Sequence, residues 1–196
     1  MSINRGSEWH KWDLHVHTPA SIIQHYGGNV DSAWERYLLD LENLPTEFKV
    51  LGINDYLFLD GYTRLKNEKE RNGRLQNIDL LLPVVEFRIE KFAGVEFRDL
   101  QRINLHVIFS DKVSVETIQS QFLNTLEQSY QIERDGSAWH RAITRESVQE
   151  LGQTIIESAP QEERHKYGSE LQEGFNALNV KEDQIYTTPE KSNSYF

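Results

Sequence analysis

Along the first half of the chain, the pattern of hydrophobic and polar positions switches between two periods. From Trp12 to His17 apolar and polar side chains alternate, with Trp12, Leu14 and Val16 on one face and Asp13, His15 and His17 on the other, the period of a strand. Ala33, Trp34, Tyr37, Leu38 and Leu41 then recur at helical spacing, predicting a helix over 31–43 that Asn29 or Asp31 can cap and Pro45 stops. Val50, Leu51, Gly52 and Ile53 read as a short buried strand ending in Asn54-Asp55, and a polar helix follows over 60–71, closed by Asn72-Gly73. A third strand is expected over 80–89 and a fourth over 103–109, joined by an irregular link through Gly94.

The pattern changes after Val113. Ser114 can cap a helix running to Gln128, Thr144 or Ser147 another to Ser158, and 161–178 reads as a third. No strand signal stands out there, and Thr187 to Ser194 has the composition of a linker. The expected fold class is therefore α/β with parallel strands and a largely helical second half, in one domain over 1–196. Within it, 1–110 forms the strand and helix core, 111–186 a helical region and 187–196 a linker-like tail.

Composition narrows the chemistry. With 38% hydrophobic and 27% charged residues, the 196-residue chain can bury a proper core. It has no run of about 18 apolar residues and no apolar leader, so no membrane span is expected and the cytoplasm is the expected location. The absence of cysteine removes disulfides, thiolate metal sites and thiol nucleophiles, leaving His, Asp and Glu to hold any metal. A net charge of −10 opposes non-specific nucleic-acid binding without excluding a local site. Arg64, Lys66, Lys69, Arg71 and Arg74 could meet a phosphate backbone, but the interleaved Glu68 and Glu70 favour a solvated helix face. Trp139-His140-Arg141 could stack on a base, though a buried Trp anchoring a loop is the better reading.

The chemical signal is concentrated in the strands. Residues two apart on a strand point the same way, so His15 and His17 can share one cation or bind two neighbouring ones, with Asp13 on their face. His15, His17, Asp55, Glu86 and His106 fall on four successive predicted strands, three of them at or near a C-terminal end, where α/β folds gather functional groups. Imidazoles with carboxylates suit a divalent ion, with Zn or Mn preferred.

Asp13-Leu14-His15-Val16-His17-Thr18-Pro19-Ala20-Ser21 resembles the first motif of the PHP family, named for polymerase and histidinol phosphatase. The resemblance implies an irregular (β/α) barrel, here partial, holding divalent metals and hydrolysing phosphate esters. Gly52-Ile53-Asn54-Asp55-Tyr56 is similar to the second motif, with Tyr56 where a metal-binding His is usual. Val84-Val85-Glu86 resembles the third and Asn104-Leu105-His106-Val107-Ile108 the fourth. Carried over residue by residue, this implies metal ligands at His15, His17, Asp55, Glu86 and His106. His25 is a further candidate at a longer offset than usual. Asp13 and Tyr56 are the candidate catalytic residues, Tyr56 as a hydrogen-bonding partner of a substrate phosphate or metal-bound water.

Further segments, Trp9 to Asp13, Gln101 to His106 and Arg141 to Ser147, resemble the TrlF-type subgroup, in which a PHP domain precedes an SMC-like or AAA-like ATPase region. That implies an ATPase partner, in cis or trans, and nucleic acid as a possible substrate in genome maintenance or phage defence. No Gly-x-x-x-x-Gly-Lys loop occurs in these residues, so the ATPase would lie elsewhere. The family's late Asp-x-His motif is also missing, and the expectation is a segment of a longer chain or a subunit completed by another. Two alternatives stand beside the phosphoesterase: a degenerate PHP module acting as a scaffold or regulator of an ATPase, and an amidohydrolase, which also opens with His-x-His on a strand.

Overall fold

The computed structural model describes residues 9–96, 99–132, 136 and 138–191, the last four by backbone alone. The fold is mixed α/β. A four-stranded sheet curled like half a barrel runs in the order β1 (Lys11–Val16), β2 (Phe48–Ile53), β3 (Leu80–Ala93), β4 (Gln101–Ile108). The β1–β2 and β2–β3 pairs are parallel. The crossovers carry α1 (Asp31–Glu42) and α2 (Asp60–Arg71), as the two early helical stripes predict. The chain divides into two compact units, one of residues up to Val85 with Val107–Lys112, the other of Glu86–His106 with the residues from Val113 on.

In the first unit Trp34, Leu38, Leu51, Ile53, Leu57, Tyr62 and Leu65 are buried, so the inner faces of α1 and α2 and strand β2 supply its core. The expected cap of α1 is not used. Val30 is the N-cap residue, without a side-chain bond, because Asn29 instead accepts from the Trp34 indole at 2.6 Å and Asp31 pairs with Arg64. The basic helix face is likewise committed internally. Arg64 also lies 4.4 Å over the Trp34 ring, Lys69 donates to the carbonyls of Leu75 and Ile78, and Arg74 joins Glu35 and Glu42. These bonds give Arg64, Lys69 and Arg74 structural partners within the unit, in place of the solvated helix face expected for them, and support a structural role over a phosphate-binding one.

The second unit departs furthest from expectation. After α3 (Val115–Gln121) and a 3-10 turn at Leu123–Thr125, an antiparallel hairpin forms from β5 (Glu127–Gln131) and β6 (Ala138–Ala142). The helix expected to reach Gln128 thus ends early, and strands occur where none was predicted. Trp139 is buried on β6, which makes it a strand anchor and removes it as a stacking platform. The expected 161–178 helix is broken, with a 3-10 segment over Gln161–Lys166 and α5 over Glu170–Ala177. Ser169 caps α5 by accepting from Gln172 N, which restarts the helix after Gly168. The link expected from Glu90 continues as strand to Ala93, and most of the expected linker is helical, since α6 spans Glu182–Lys191. Residues 192–194 of that linker lie outside the described residues.

One expected helix is set by a reciprocal cap. The Thr144 hydroxyl accepts from Ser147 N while the Ser147 hydroxyl accepts from Thr144 N, opening α4 (Arg145–Ser158). Helices α4 and α5 then cross at backbone distance. A Cβ on Gly152 would lie 1.7 Å from the Glu170 carbonyl oxygen, and one on Gly174 would lie 1.8 Å from that of Val148. Both obstacles are main chain, so the helices would have to part. Gly152→Ala and Gly174→Ala should each destabilise the protein by about 2–3 kcal/mol, the cost of overpacking a rigid contact, measured by urea denaturation; Gly136→Ala, which meets only its positive φ and open space, should cost less.

Candidate metal centre

Strand β1 presents its histidines through an irregular pairing. Asp13 sits opposite Leu51 and Val16 opposite Ile53, so three steps on β1 face two on β2. Such a bulge re-aims side chains. Here His15 falls inside it, its backbone N donating to Asp13 Oδ1 at 3.1 Å. Asp13 thereby stabilises the bend. The imidazoles of His15 and His17 converge, with Nε2 atoms 3.1 Å apart. Two nitrogens bound to one zinc ion at roughly 2.0–2.1 Å, tetrahedrally, are about 3.3 Å apart, so this pair has the spacing of ligands to a common cation. Ser21 Oγ lies 3.2 Å from His17 Nδ1 and can accept a hydrogen bond from Nδ1–H, the tautomer that leaves the Nε2 lone pair for coordination. Tyr26 donates from its hydroxyl to the His17 carbonyl at 3.0 Å.

Asp55, two residues past the end of β2, lies in a different environment. It is buried, and the turn beginning at Thr18 closes on it: Thr18 N donates to Oδ1 and Thr18 Oγ1 to Oδ2, both at 2.7 Å. Burial pushes its pKa up to about 6, although the Thr18 bonds oppose that rise. Gly61 makes room for this clasp, since a Cβ there would lie 1.9 Å from Asp55 Oδ2. Tyr56 follows at φ 65°, a conformation unusual for an aromatic residue, and its ring stacks obliquely on His17 at 4.9 Å between centroids. This contact places the phenol against one of the candidate ligands. His25 is exposed on the loop after β1.

On β3 and β4 a second pair forms. Glu86 has no exposed surface; its Oε1 accepts from Asn104 Nδ2 at 2.5 Å, and its Oε2 lies 3.5 Å from His106 Nε2. A carboxylate removed from water needs compensating donors or positive charge. Asn104 supplies a donor and orients the second oxygen toward His106.

Among the described residues, His15, Glu86 and His106 form one group that could hold a metal ion: one ligand atom from each lies within 4.8 Å of the others. Two imidazoles and a carboxylate are a donor set that fits zinc or another first-row divalent cation. The sequence pattern points to these three and not to Asn104, although that residue stands inside the segment resembling the fourth motif. Its place two residues before His106 on a strand was the available signal. Also unanticipated, Ser129 Oγ, His140 and Glu127 form an exposed chain on the hairpin, with Ser129 Oγ 2.6 Å from His140 Nδ1 and His140 Nε2 3.4 Å from Glu127 Oε2.

Comparison with protein-family models, curated proteins and solved structures finds no match to this chain.

The Asp55 clasp gives the most direct test of how the first unit is organised. Thr18→Val should cost about 1–3 kcal/mol, because it leaves a buried carboxylate oxygen without its hydroxyl donor, whereas Ser at the same position should keep most of the stability. Thermal or urea unfolding of the two variants measures the difference.

Proposed function

We propose that the chain is a metal-dependent phosphoesterase domain of the PHP type, with a Zn or Mn ion held by His15, Glu86 and His106 and with His17 beside them. The observation that carries this reading is the convergence of two imidazoles and a buried carboxylate within one ion's reach. The motif resemblance adds the phosphoester substrate and the partial barrel. A divalent cation at this place would supply Lewis acidity toward a phosphoryl oxygen. The chain's own residues do the rest. Ser21 and Asn104 orient His17 and Glu86, Asp13 holds the bend that aims His15, and the Tyr56 phenol hydrogen-bonds the substrate phosphate.

The same resemblance makes nucleic acid the favoured substrate and an SMC-like or AAA-like ATPase the partner. No described helix is long and apolar enough to cross a membrane. The second reading, a degenerate module that binds metal and serves as a scaffold for the ATPase, is favoured by Tyr56 at a usual ligand position and by Asp55 being clasped by Thr18.

Metal analysis by mass spectrometry and hydrolysis assays separate these readings. Loaded with Zn or Mn and desalted, the protein should retain at least one ion per chain, and His106→Ala or Glu86→Gln should reduce that by about tenfold or more with circular dichroism unchanged. Chelation should abolish hydrolysis of a chromogenic phosphodiester or single-stranded DNA, and added metal should restore it. A folded, metal-loaded protein that cleaves neither substrate would support the scaffold, and a protein that takes up no metal would refute both.

A further inference from the structure

Beyond Glu86 and His106 the same two strands carry a basic cavity. Arg88 stands two residues after Glu86 on β3, about 6.6 Å along a strand, and Arg102, Asn104 and His106 alternate on β4 in the same way. Arg88, Gln101, Arg102 and Asn104 line a largely polar cavity of about 400 Å³. Asn104 therefore borders the cavity and also donates to Glu86.

The two guanidinium groups are oriented by the last turn of α5 and the residues that follow it. Arg88 Nη1 donates to Asn176 Oδ1 at 3.0 Å and lies 5.1 Å from the Phe175 ring centre. Arg102 Nη1 donates to the carbonyls of Asn176 and Leu178 at 3.1 and 2.8 Å, and its Nη2 to Asn179 Oδ1. These acceptors are neutral, so they fix the direction of the Arg102 fork without cancelling its charge. Burial and the neighbouring Arg88 charge both push the Arg102 pKa down, with Glu90 opposing. Two like charges at one half-buried cavity are an electrostatic cost that a bound anion relieves. Planar forks match phosphate oxygens bidentately. The side-chain amides of Gln101 and Asn104 add donors, more in total than the two oxygens of a carboxylate can accept.

We propose that the cavity lined by Arg88, Gln101, Arg102 and Asn104 is a phosphate-binding site. Its use, holding a second, unreacted phosphate of a substrate whose neighbouring ester is cleaved at the metal centre, rests on the phosphoesterase reading; the binding itself does not.

Isothermal titration of the full chain with inorganic phosphate and pyrophosphate, in the presence of a metal chelator, tests the site. Malonate serves as the dicarboxylate control. Both phosphates should bind, and Arg88→Gln should weaken that binding by about tenfold or more, as loss of a charge-assisted bidentate contact does. Arg88→Lys should recover part of it, and malonate should bind about tenfold more weakly than pyrophosphate. Arg102→Gln should weaken binding too, with its melting curve recorded because Arg102 also ties down the 176–179 segment. Failure of the wild-type chain to bind either phosphate, wild-type affinity in Arg88→Gln, or malonate binding as tightly as pyrophosphate would each overturn the proposal. Because metal is absent from the titration, a failed metal centre leaves this result intact. A chain that takes up metal but no phosphate refutes the phosphate site alone.

Discussion

The cost of taking carboxylates out of water organises this molecule. Asp55, two residues past the end of β2, and Glu86, on β3, are both buried, and each must be met by donors or positive charge. Asp55 is met by Thr18, whose main chain and hydroxyl both point at it, and this fixes the chain where it leaves β1. The turn so formed carries Ser21 to His17 and places Tyr56 against the same imidazole. Glu86 is met by Asn104 and His106 from the next strand. The polar groups thus set the local geometry, and the apolar cores hold the elements that present them.

Legibility in the sequence followed the strength of the periodic signal. The four sheet strands and helix α1 were readable because residues such as Leu14, Trp34, Leu38, Leu51, Ile53 and Val84 recur at the spacing of the face they pack, and α2 was readable as a polar stretch closed by Asn72-Gly73. The β5–β6 hairpin was not, since Glu-Gln-Ser-Tyr-Gln offers polar side chains on both faces and is stabilised by pairing with a partner eleven residues away, Ser129 opposite His140. The break before α5 was hidden for the opposite reason: charged residues over 161–166 suit a helix, and the restart depends on Ser169 as a cap. At the site, His15 could be read from the alternation of its strand, whereas Glu86, which follows the unbroken apolar run from Leu80 to Val85, and His106 were reached through the motif resemblance. The Asp55 clasp could not be read, as nothing in the alternation shows that Thr18 will fold back 37 residues along the chain. Arg88 and Arg102 were invisible for a similar reason, since the Asn176 side chain and carbonyl that hold them come from a distant helix end.

The proposed centre and the arginine cavity share Asn104, which donates to Glu86 and lines the cavity. On the proposed reading, a side chain that orients the carboxylate of Glu86 while bordering the arginine cavity would place binding and chemistry on one strand face. Rigid strands suit that task better than loops, because the reacting and non-reacting groups of a substrate must be held at a fixed separation.

X-ray absorption spectroscopy of the zinc-loaded full chain reads the proposed ligand set itself. A centre built on His15, Glu86 and His106 should give a mixed nitrogen and oxygen shell at about 2.0–2.1 Å, with the multiple-scattering signature of at least two imidazoles, and loss of one imidazole contribution in His15→Ala. An ion coordinated by oxygen alone, or a spectrum identical in wild type and His15→Ala, would contradict it.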